Sequence, residues 1–386
     1  MKKLLWLASW YPSRVDPFLG DFVERHARAA ALRNQVTVIQ VIRDPALKSR
    51  RPEYVYSGAG ALKVFTGYYP RLFAEGSMLE KASSLWFRFR VRSRLVRRYR
   101  RENGAPDLVH VQIVWNAGIT ALWLRLTRGW RYILSEHWSL LSLPGALERT
   151  GWIRRFLIRS ILSRADLVLV ASLHLGERME RICPGMPYRY LPNVTDTTLF
   201  HLKESAREGS SKRFIHVSTL VEIKNPLGLL RAFLSVQEKL PEWQLWVVGP
   251  ASPTLVELAG TQKGSRICFT GMIPYEQVAA LERDCDCLVM FSWSEGQPCA
   301  VAEALCCGIP VISTDVGGIP EMVGERVGIL VPAGDEEELG KAMVRMAASL
   351  ASYDKAGISA RAVEQFSYEA VALRLDEIYR EYARKT

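Results

Sequence analysis

Ten short stretches of the chain are apolar almost without interruption. Five precede a polar gap: residues 3–9 (KLLWLAS), 35–42 (QVTVIQVI), 107–114 (DLVHVQIV), 132–137 (YILSEH) and 166–172 (DLVLVAS). Five follow it: 214–218 (FIHVS), 244–249 (QLWVVG), 266–271 (RICFTG), 287–292 (CLVMFS) and 310–314 (PVIST). A strand with one wet face alternates, whereas a continuous run is covered on both faces. Helical stretches between such runs supply that cover in a parallel sheet. The pattern predicts two doubly wound, Rossmann-like α/β domains. Residues 201–213, HLKESAREGSSKR, lack apolar periodicity and read as the linker between them. The expected division is an N-terminal domain over 1–200, a C-terminal domain over 214–368, and a last helix, 369–386, packing back on the first domain.

Composition agrees with this and narrows it. A chain of 386 residues, 48% apolar and 24% charged, suits two globular domains rather than a disordered or fibrous protein. No apolar run is long enough to cross a bilayer. The start, MKKLLWLASWYPSR, has the basic residues of a signal peptide, but Tyr11, Pro12 and Arg14 break its apolar stretch early. It reads as a buried first strand, so a cytoplasmic location is expected. The seven cysteines form no CxxC pair and no His/Cys cluster, which favours buried thiols over a zinc site.

Ligands of open parallel sheets bind beyond the carboxyl ends of the strands, so the residues just after each run are the candidates for chemistry. After CLVMFS the chain reads WSEGQPCAVAEALCCG. Pro298 suits the first helical turn, which aims the N–H groups of Cys299 and Ala300 back at the strand ends, a cradle for a diphosphate. Glu303 lies one turn beyond Cys299 on the same helix face. A carboxylate there is repelled by a diphosphate unless it reaches past it to a ribose diol. Glu295, in the loop, can accept from sugar hydroxyls.

Glu295-x7-Glu303, followed by Gly308-Ile309-Pro310-Val311 and Gly317-Gly318-x-x-Glu321, resembles the signature of the family 4 glycosyltransferases. These are retaining enzymes of the GT-B fold, two Rossmann-like domains facing a central cleft, that use nucleotide-activated sugars. The resemblance continues through LPNVTDTTLF (191–200), WVVGP, FTGMIP and PDLVHVQ, and so covers both halves of the chain.

The resemblance implies that Glu303 binds the nucleotide ribose. Glu295, with the loop and helix start of Gly296, Gln297, Pro298, Cys299 and Ala300, would hold the donor and its transferred sugar. Lys224, in HVSTLVEIKNP, matches the lysine that neutralises the leaving diphosphate. His137 matches a histidine close to the sugar ring, whereas His110, inside its strand, reads as a packed core side chain. Gly20 would let a phosphate approach the first loop, and the segment around Ile273 would meet the base through backbone groups. The family needs neither a metal ion nor a cofactor. Two departures stand out. Ser218-Thr219 replaces the usual glycine and arginine of the first C-domain loop, and only Gly20 remains of a usual glycine pair.

The reading that results is a retaining, metal-independent hexosyltransferase of cell-surface polysaccharide or glycolipid synthesis. It would act on a nucleotide sugar and a carbohydrate or lipid-linked acceptor, with no nucleic-acid partner. A nucleotide-sugar hydrolase or epimerase of the same fold would use the same donor pocket. A nicotinamide oxidoreductase would need a GxGxxG loop, which is missing.

The charge adds one more candidate. The net charge is +11, and eight arginines fall between Arg88 and Arg101 with no acidic residue among them. At helical spacing Leu85, Phe89, Val96 and Tyr99 form an apolar stripe interrupted by Arg92. Such a helix predicts an anionic partner, a membrane's inner face presenting a lipid-linked acceptor. A non-catalytic protein bound to that surface is the remaining alternative.

Overall fold

The computed structural model describes residues 1–137, 150–203, 211–260, 264 and 266–383, and the middle of the expected linker lies outside them. The chain forms two units. The first comprises residues 1–171, 176–191 and 371–386, the second 172–175 and 192–370.

The first unit is built on an eight-stranded sheet. Its strands are β1 (Lys3–Ala8), β2 (Gln35–Arg43), β3 (Glu53–Ala59), β4 (Leu62–Tyr69), β5 (Leu108–Gln112), β6 (Tyr132–Glu136), β7 (Val168–Val170) and β8 (Tyr188–Tyr190). The spatial order is β3-β4-β2-β1-β5-β6-β7-β8. All neighbours run parallel except β3, which pairs antiparallel with β4 at the edge. The central strands, β1 and β5, are buried along nearly their whole length, as their continuous apolar runs require. The helices are α1 (Asp21–Ala31), α2 (Met78–Asn103), α3 (Ala117–Arg128), α4 (Trp152–Leu162) and α5 (Leu173–Ile182). Residues 371–383 join this unit. There Tyr379 hydrogen-bonds His110 Nδ1 at 2.8 Å and Glu381 pairs with Arg189.

The second unit carries six parallel strands, β9 (Lys212–Val217), β10 (Trp243–Val248), β11 (Ile267–Gly271), β12 (Cys287–Met290), β13 (Val311–Thr314) and β14 (Gly328–Val331). Their order is β11-β10-β9-β12-β13-β14. The remaining helices are α6 (Pro226–Val236), α7 (Pro253–Gly260), α8 (Tyr275–Arg283), α9 (Cys299–Cys306), α10 (Glu336–Ser349) and α11 (Lys355–Phe366), followed by α12 (Tyr368–Tyr382), which from residue 371 on belongs to the first unit. Successive residues of each strand feed opposite layers. Phe214, Cys287 and Val289 pack with Phe233 of α6 and Met343 of α10, while Ile215, Leu288 and Met290 pack with Val301 of α9 and Phe366 of α11. Period-two side-chain direction therefore spends every residue of an unbroken apolar run on one core or the other. The fold is the expected pair of doubly wound α/β domains.

The arginine-rich helix differs from the expected stripe. In α2 the buried face is Phe87, Val91, Arg92, Leu95, Val96 and Tyr99, and Leu85 and Phe89 are exposed. Arg88 and Arg92 turn inward, and Arg98 is held by Glu102 and by the ring of Tyr56. Arg90, Arg94, Arg97, Arg100 and Arg101 remain exposed.

Candidate functional site

The carboxyl ends of β9, β12 and β13 gather most of the residues singled out in the second half of the chain. A 3-10 turn over Glu222–Lys224 follows β9, and its Lys224 Nζ donates to Glu295 Oε1 at 2.6 Å. Ser292 Oγ donates to the same oxygen at 2.6 Å, and Thr314 Oγ1 holds the Ser292 carbonyl at 2.8 Å. Glu295 is 5% exposed. A carboxylate so far from water needs its counter-charge, and the pair supplies it. Among the described residues every hydrogen bond to this carboxylate falls on Oε1, so Oε2 can accept from a bound molecule.

The loop behind Glu295 is fixed by close backbone packing. A Cβ on Gly317 would lie 1.8 Å from the Glu295 carbonyl oxygen, and one on Gly318 would lie 2.2 Å from that of Gly296. Gly318 N donates to that Gly296 oxygen at 3.1 Å. The glycine pair thus lets one strand-end loop lie directly on another. Glu321, the third glutamate of the motif, has a structural task, accepting the N–H groups of Leu173 and His174 at 2.8 Å each.

Gln297 is turned toward the chain crossover. Its side-chain oxygen accepts from Asn193 N at 2.5 Å, and its carbonyl accepts from Asn193 Nδ2 at 2.8 Å. Pro298 caps α9 rather than lying within it, and its carbonyl accepts from Val301 N at 3.2 Å. Cys299 and Ala300 open the helix, where its dipole favours an anion.

Glu303 sits one turn into α9, 4% exposed, with Tyr275 Oη donating to its Oε1 at 2.7 Å. Glu282 of α8 is wholly buried nearby, and among the described residues neither of its carboxyl oxygens has a hydrogen-bond partner. Burial, and then the charge of Glu303, push the Glu282 carboxyl well above the usual carboxylate range. Ile273, between β11 and α8, packs against the α8–α9 core. Below Lys224, His216 is held between the Val289 carbonyl at 2.9 Å and Ser218 Oγ at 2.8 Å, and burial lowers its pKa to about 4.

His137 and Gly20 lie in the first unit. The His137 ring packs against Phe22 and His26 of α1, each 5.0 Å away between centroids. Gly20 starts α1 at φ 80°, and a Cβ there would be 2.6 Å from the Trp10 carbonyl carbon. His110 is a wholly buried core residue, bonded to Tyr379 and to Ser135 Oγ, the latter at 2.8 Å.

Tyr275, Ser292 and Asn193, which orient Glu303, Glu295 and Gln297, were not among the expected site residues. Asn193 lies in the quoted crossover and Tyr275 directly follows FTGMIP, so position offered a clue for both. Ser292, the last residue of its apolar run, carries no separate signal in the sequence.

The chain matches two family models, glycosyl transferases group 1 over residues 211–349 and the glycosyl transferase 4-like domain over residues 22–193. It is 28% identical over 364 residues to TuaC of Bacillus subtilis, described as a teichuronic acid biosynthesis glycosyltransferase, covering 89% of this chain and 88% of that protein. It is 27% identical over 241 residues to the N-acetyl-alpha-D-glucosaminyl L-malate synthase of Bacillus anthracis, covering 59% of this chain and 63% of that one. In fold it is similar to sucrose-phosphate synthase of Thermosynechococcus elongatus, with TM-score 0.77, 21% identity, and 98% and 99% of the two chains covered. Anabaena HepE, solved with UDP-glucose, superposes with TM-score 0.69 at 17% identity over 99% of this chain and all of its own.

Proposed function

The chain belongs to the group 1 glycosyltransferases, with the GT-B architecture, and from that premise we propose that it transfers a hexose from a nucleotide-diphosphate sugar to an acceptor hydroxyl with retention at the anomeric carbon. The observation that carries this is the joint placement of Lys224–Glu295 and Tyr275–Glu303 about the carboxyl ends of one parallel sheet. As the bond from the anomeric carbon to the diphosphate breaks, negative charge grows on the departing oxygen and positive charge on the sugar. Lys224 and the start of α9 stabilise the first. Glu295 Oε2 holds the sugar hydroxyls, Glu303 takes the ribose diol, and the acceptor oxygen bonds to the carbon on the face the diphosphate leaves while its proton passes to the departing diphosphate oxygen. This places the leaving-group charge on Lys224 and helix amides rather than on a metal ion. A role for His137 toward the transferred sugar is proposed from its match to the family histidine alone.

A role in cell-surface polysaccharide or glycolipid synthesis is supported by the likeness to TuaC over most of both chains. A nucleotide-sugar donor is supported by the UDP-glucose bound to HepE. Thermal-shift screening against UDP-, GDP- and ADP-sugars tests the donor reading, and stabilisation by none of them overturns it. Product analysis with and without acceptor then separates transfer from hydrolysis or epimerisation, and the anomeric configuration of the product tests retention.

We further propose that the protein works at the inner face of an anionic membrane, seated by α2. Five arginines are exposed on this helix, and Leu85, Trp86 and Phe89 are exposed beside them. That combination suits phosphate headgroups with aromatic side chains at the interface.

A further inference from the structure

Of the eight arginines in α2, the two that turn inward make the least sense as surface charge. Arg92 is 3% exposed, and its Nη1 donates to the Asn116 carbonyl at 2.8 Å and to Thr120 Oγ1 at 3.4 Å, while its Nε has no hydrogen-bond partner among the described residues. Arg88, half-buried one turn earlier, donates from Nε to Tyr69 Oη at 2.9 Å and from Nη1 to Asn116 Oδ1 at 2.7 Å. Among the described residues neither guanidinium has a carboxylate partner. Burial, and then the charge of Arg88, lower the Arg92 pKa to about 10, which still leaves that guanidinium charged at neutral pH.

Two like charges side by side, one of them out of water, are unfavourable unless something negative joins them, because buried charges are paired almost without exception. Their shared partner is also unusual. Asn116 lies four residues beyond the end of β5 at the N-cap of α3, at φ 68° and ψ −61°, with Ala117 N bonded back to the Trp115 carbonyl at 3.0 Å. That is the rare, strained form of the γ-turn, held in place by the two arginines. The pair therefore lies by the carboxyl end of a central parallel strand, where open α/β sheets bind ligands.

We propose that Arg88 and Arg92 form a subsite for one anionic group, a phosphate or carboxylate, carried by the acceptor, with Arg88 touching the anion and Arg92 supplying the second charge behind it. Planar guanidinium forks suit either oxyanion, and Arg88, being half-buried, is reachable from solvent. The assignment to the acceptor rests on the transferase reading, whereas the existence of the subsite does not.

The test separates the two. Inorganic phosphate is titrated into the full chain by calorimetry at fixed ionic strength, in a Lys224→Gln background that weakens phosphate binding at the donor side. Adding Arg88→Gln is expected to lower phosphate affinity at least fivefold at a temperature where the variant is fully folded, whatever its Tm loses with the two hydrogen bonds to Tyr69 and Asn116. Arg88→Lys should recover part of the affinity. A lowered Tm with unchanged phosphate affinity would make Arg88 a structural strut and overturn the subsite, as would the absence of any Arg88-dependent phosphate binding. No transfer assay enters, so that failure leaves the donor-site reading standing. Two further titrations identify the source of the anion, glycerol 3-phosphate in solution and phosphatidic acid in phosphatidylcholine vesicles. Arg88-dependent binding of the first assigns a soluble acceptor and of the second alone a lipid-linked one, and dependence in neither overturns the assignment to an acceptor.

Discussion

Glu295 and Glu303 carry the same charge eight residues apart, and their neighbours make them unlike. Glu295 is neutralised by Lys224 and keeps one oxygen for a ligand, whereas Glu303 is steadied by a phenol. Glu303→Ala should therefore weaken donor binding by about 1–3 kcal/mol, the worth of lost hydrogen bonds to a diol, while Glu295→Ala mainly slows transfer. Calorimetry of donor binding beside kcat for both variants checks this, and unchanged donor affinity in the Glu303 variant removes it from the ribose. Lys224→Ala is expected to cost roughly a hundredfold or more in kcat, because no arginine stands at Ser218-Thr219 to share its charge. The other basic side chains that could substitute are already engaged, Arg14 with Asp44 and Glu53, and Arg213 over the Trp246 ring. A kcat within a few-fold of wild type would mean that the diphosphate charge is met elsewhere.

At the scale of elements, the strands legible from sequence were those with unbroken apolar runs. β3 and β4 escaped because an edge hairpin with one exposed face has no such run: β3 is exposed along most of its length. The short β8 and β14 offered too few residues for a pattern. The α2 stripe was misplaced for a related reason. Fourteen residues with eight arginines give no clear polar face, and the burial of Arg92 beside Val91 is decided by Asn116 and Thr120 of another helix. Within the site, residue types and spacing pointed to Glu295 and Glu303, and the family resemblance to Lys224, but the phenol and hydroxyl that hold the carboxylates come from other segments and leave no spacing to read. The Gly317-Gly318 pair was visible as a motif, and the structure supplies its cause, a loop resting on the carbonyls of Glu295 and Gly296. Gly318→Ala should therefore push the Glu295 loop away and lower kcat/KM by an order of magnitude or more, with circular dichroism unchanged. Full activity in that variant would show that the loop has room to give.

On the scale of the whole molecule, charge governs both stability and placement. His216 is buried and neutral in the fold, with its pKa lowered to about 4 against an unfolded value near 6.5, so the unfolded chain binds the proton more readily. Its contribution is complete above pH 6.5 and is lost as the pH falls toward 4, a change of about 3 kcal/mol at most for this one group. His110, buried likewise, acts in the same direction. Urea unfolding followed from pH 7.5 to 4.5 should show this acid loss with a shallower slope in His216→Gln, and equal slopes would assign the acid sensitivity to other groups.

The surface charge acts outward. Like-charged side chains along one exposed helix face repel one another, and salt screens this fully only beyond a Debye length of about 8–10 Å. An anionic bilayer relieves it more fully, at about 1 kcal/mol for each basic residue brought near it. Arg94, Arg97, Arg100 and Arg101 line one recess of about 530 Å³ on α2, whereas Arg98 is already held by Glu102 and Tyr56. The informative variant is therefore Arg94, Arg97, Arg100 and Arg101 together changed to Gln, leaving Arg88, Arg92 and Arg98 in place. In liposome sedimentation at low salt the wild type should bind vesicles containing phosphatidylglycerol far better than phosphatidylcholine alone, and lose that binding in about 0.5 M salt as the Debye length shrinks toward 4 Å. The fourfold variant should lose most of it while keeping donor affinity, since its substitutions lie in the other unit from Glu303. Trp86→Ser, which removes an exposed ring and no charge, should weaken the residual binding that survives high salt. Equal sedimentation with neutral and anionic vesicles, or a fourfold variant that binds like the wild type, would leave the arginine face without a membrane and the acceptor in solution.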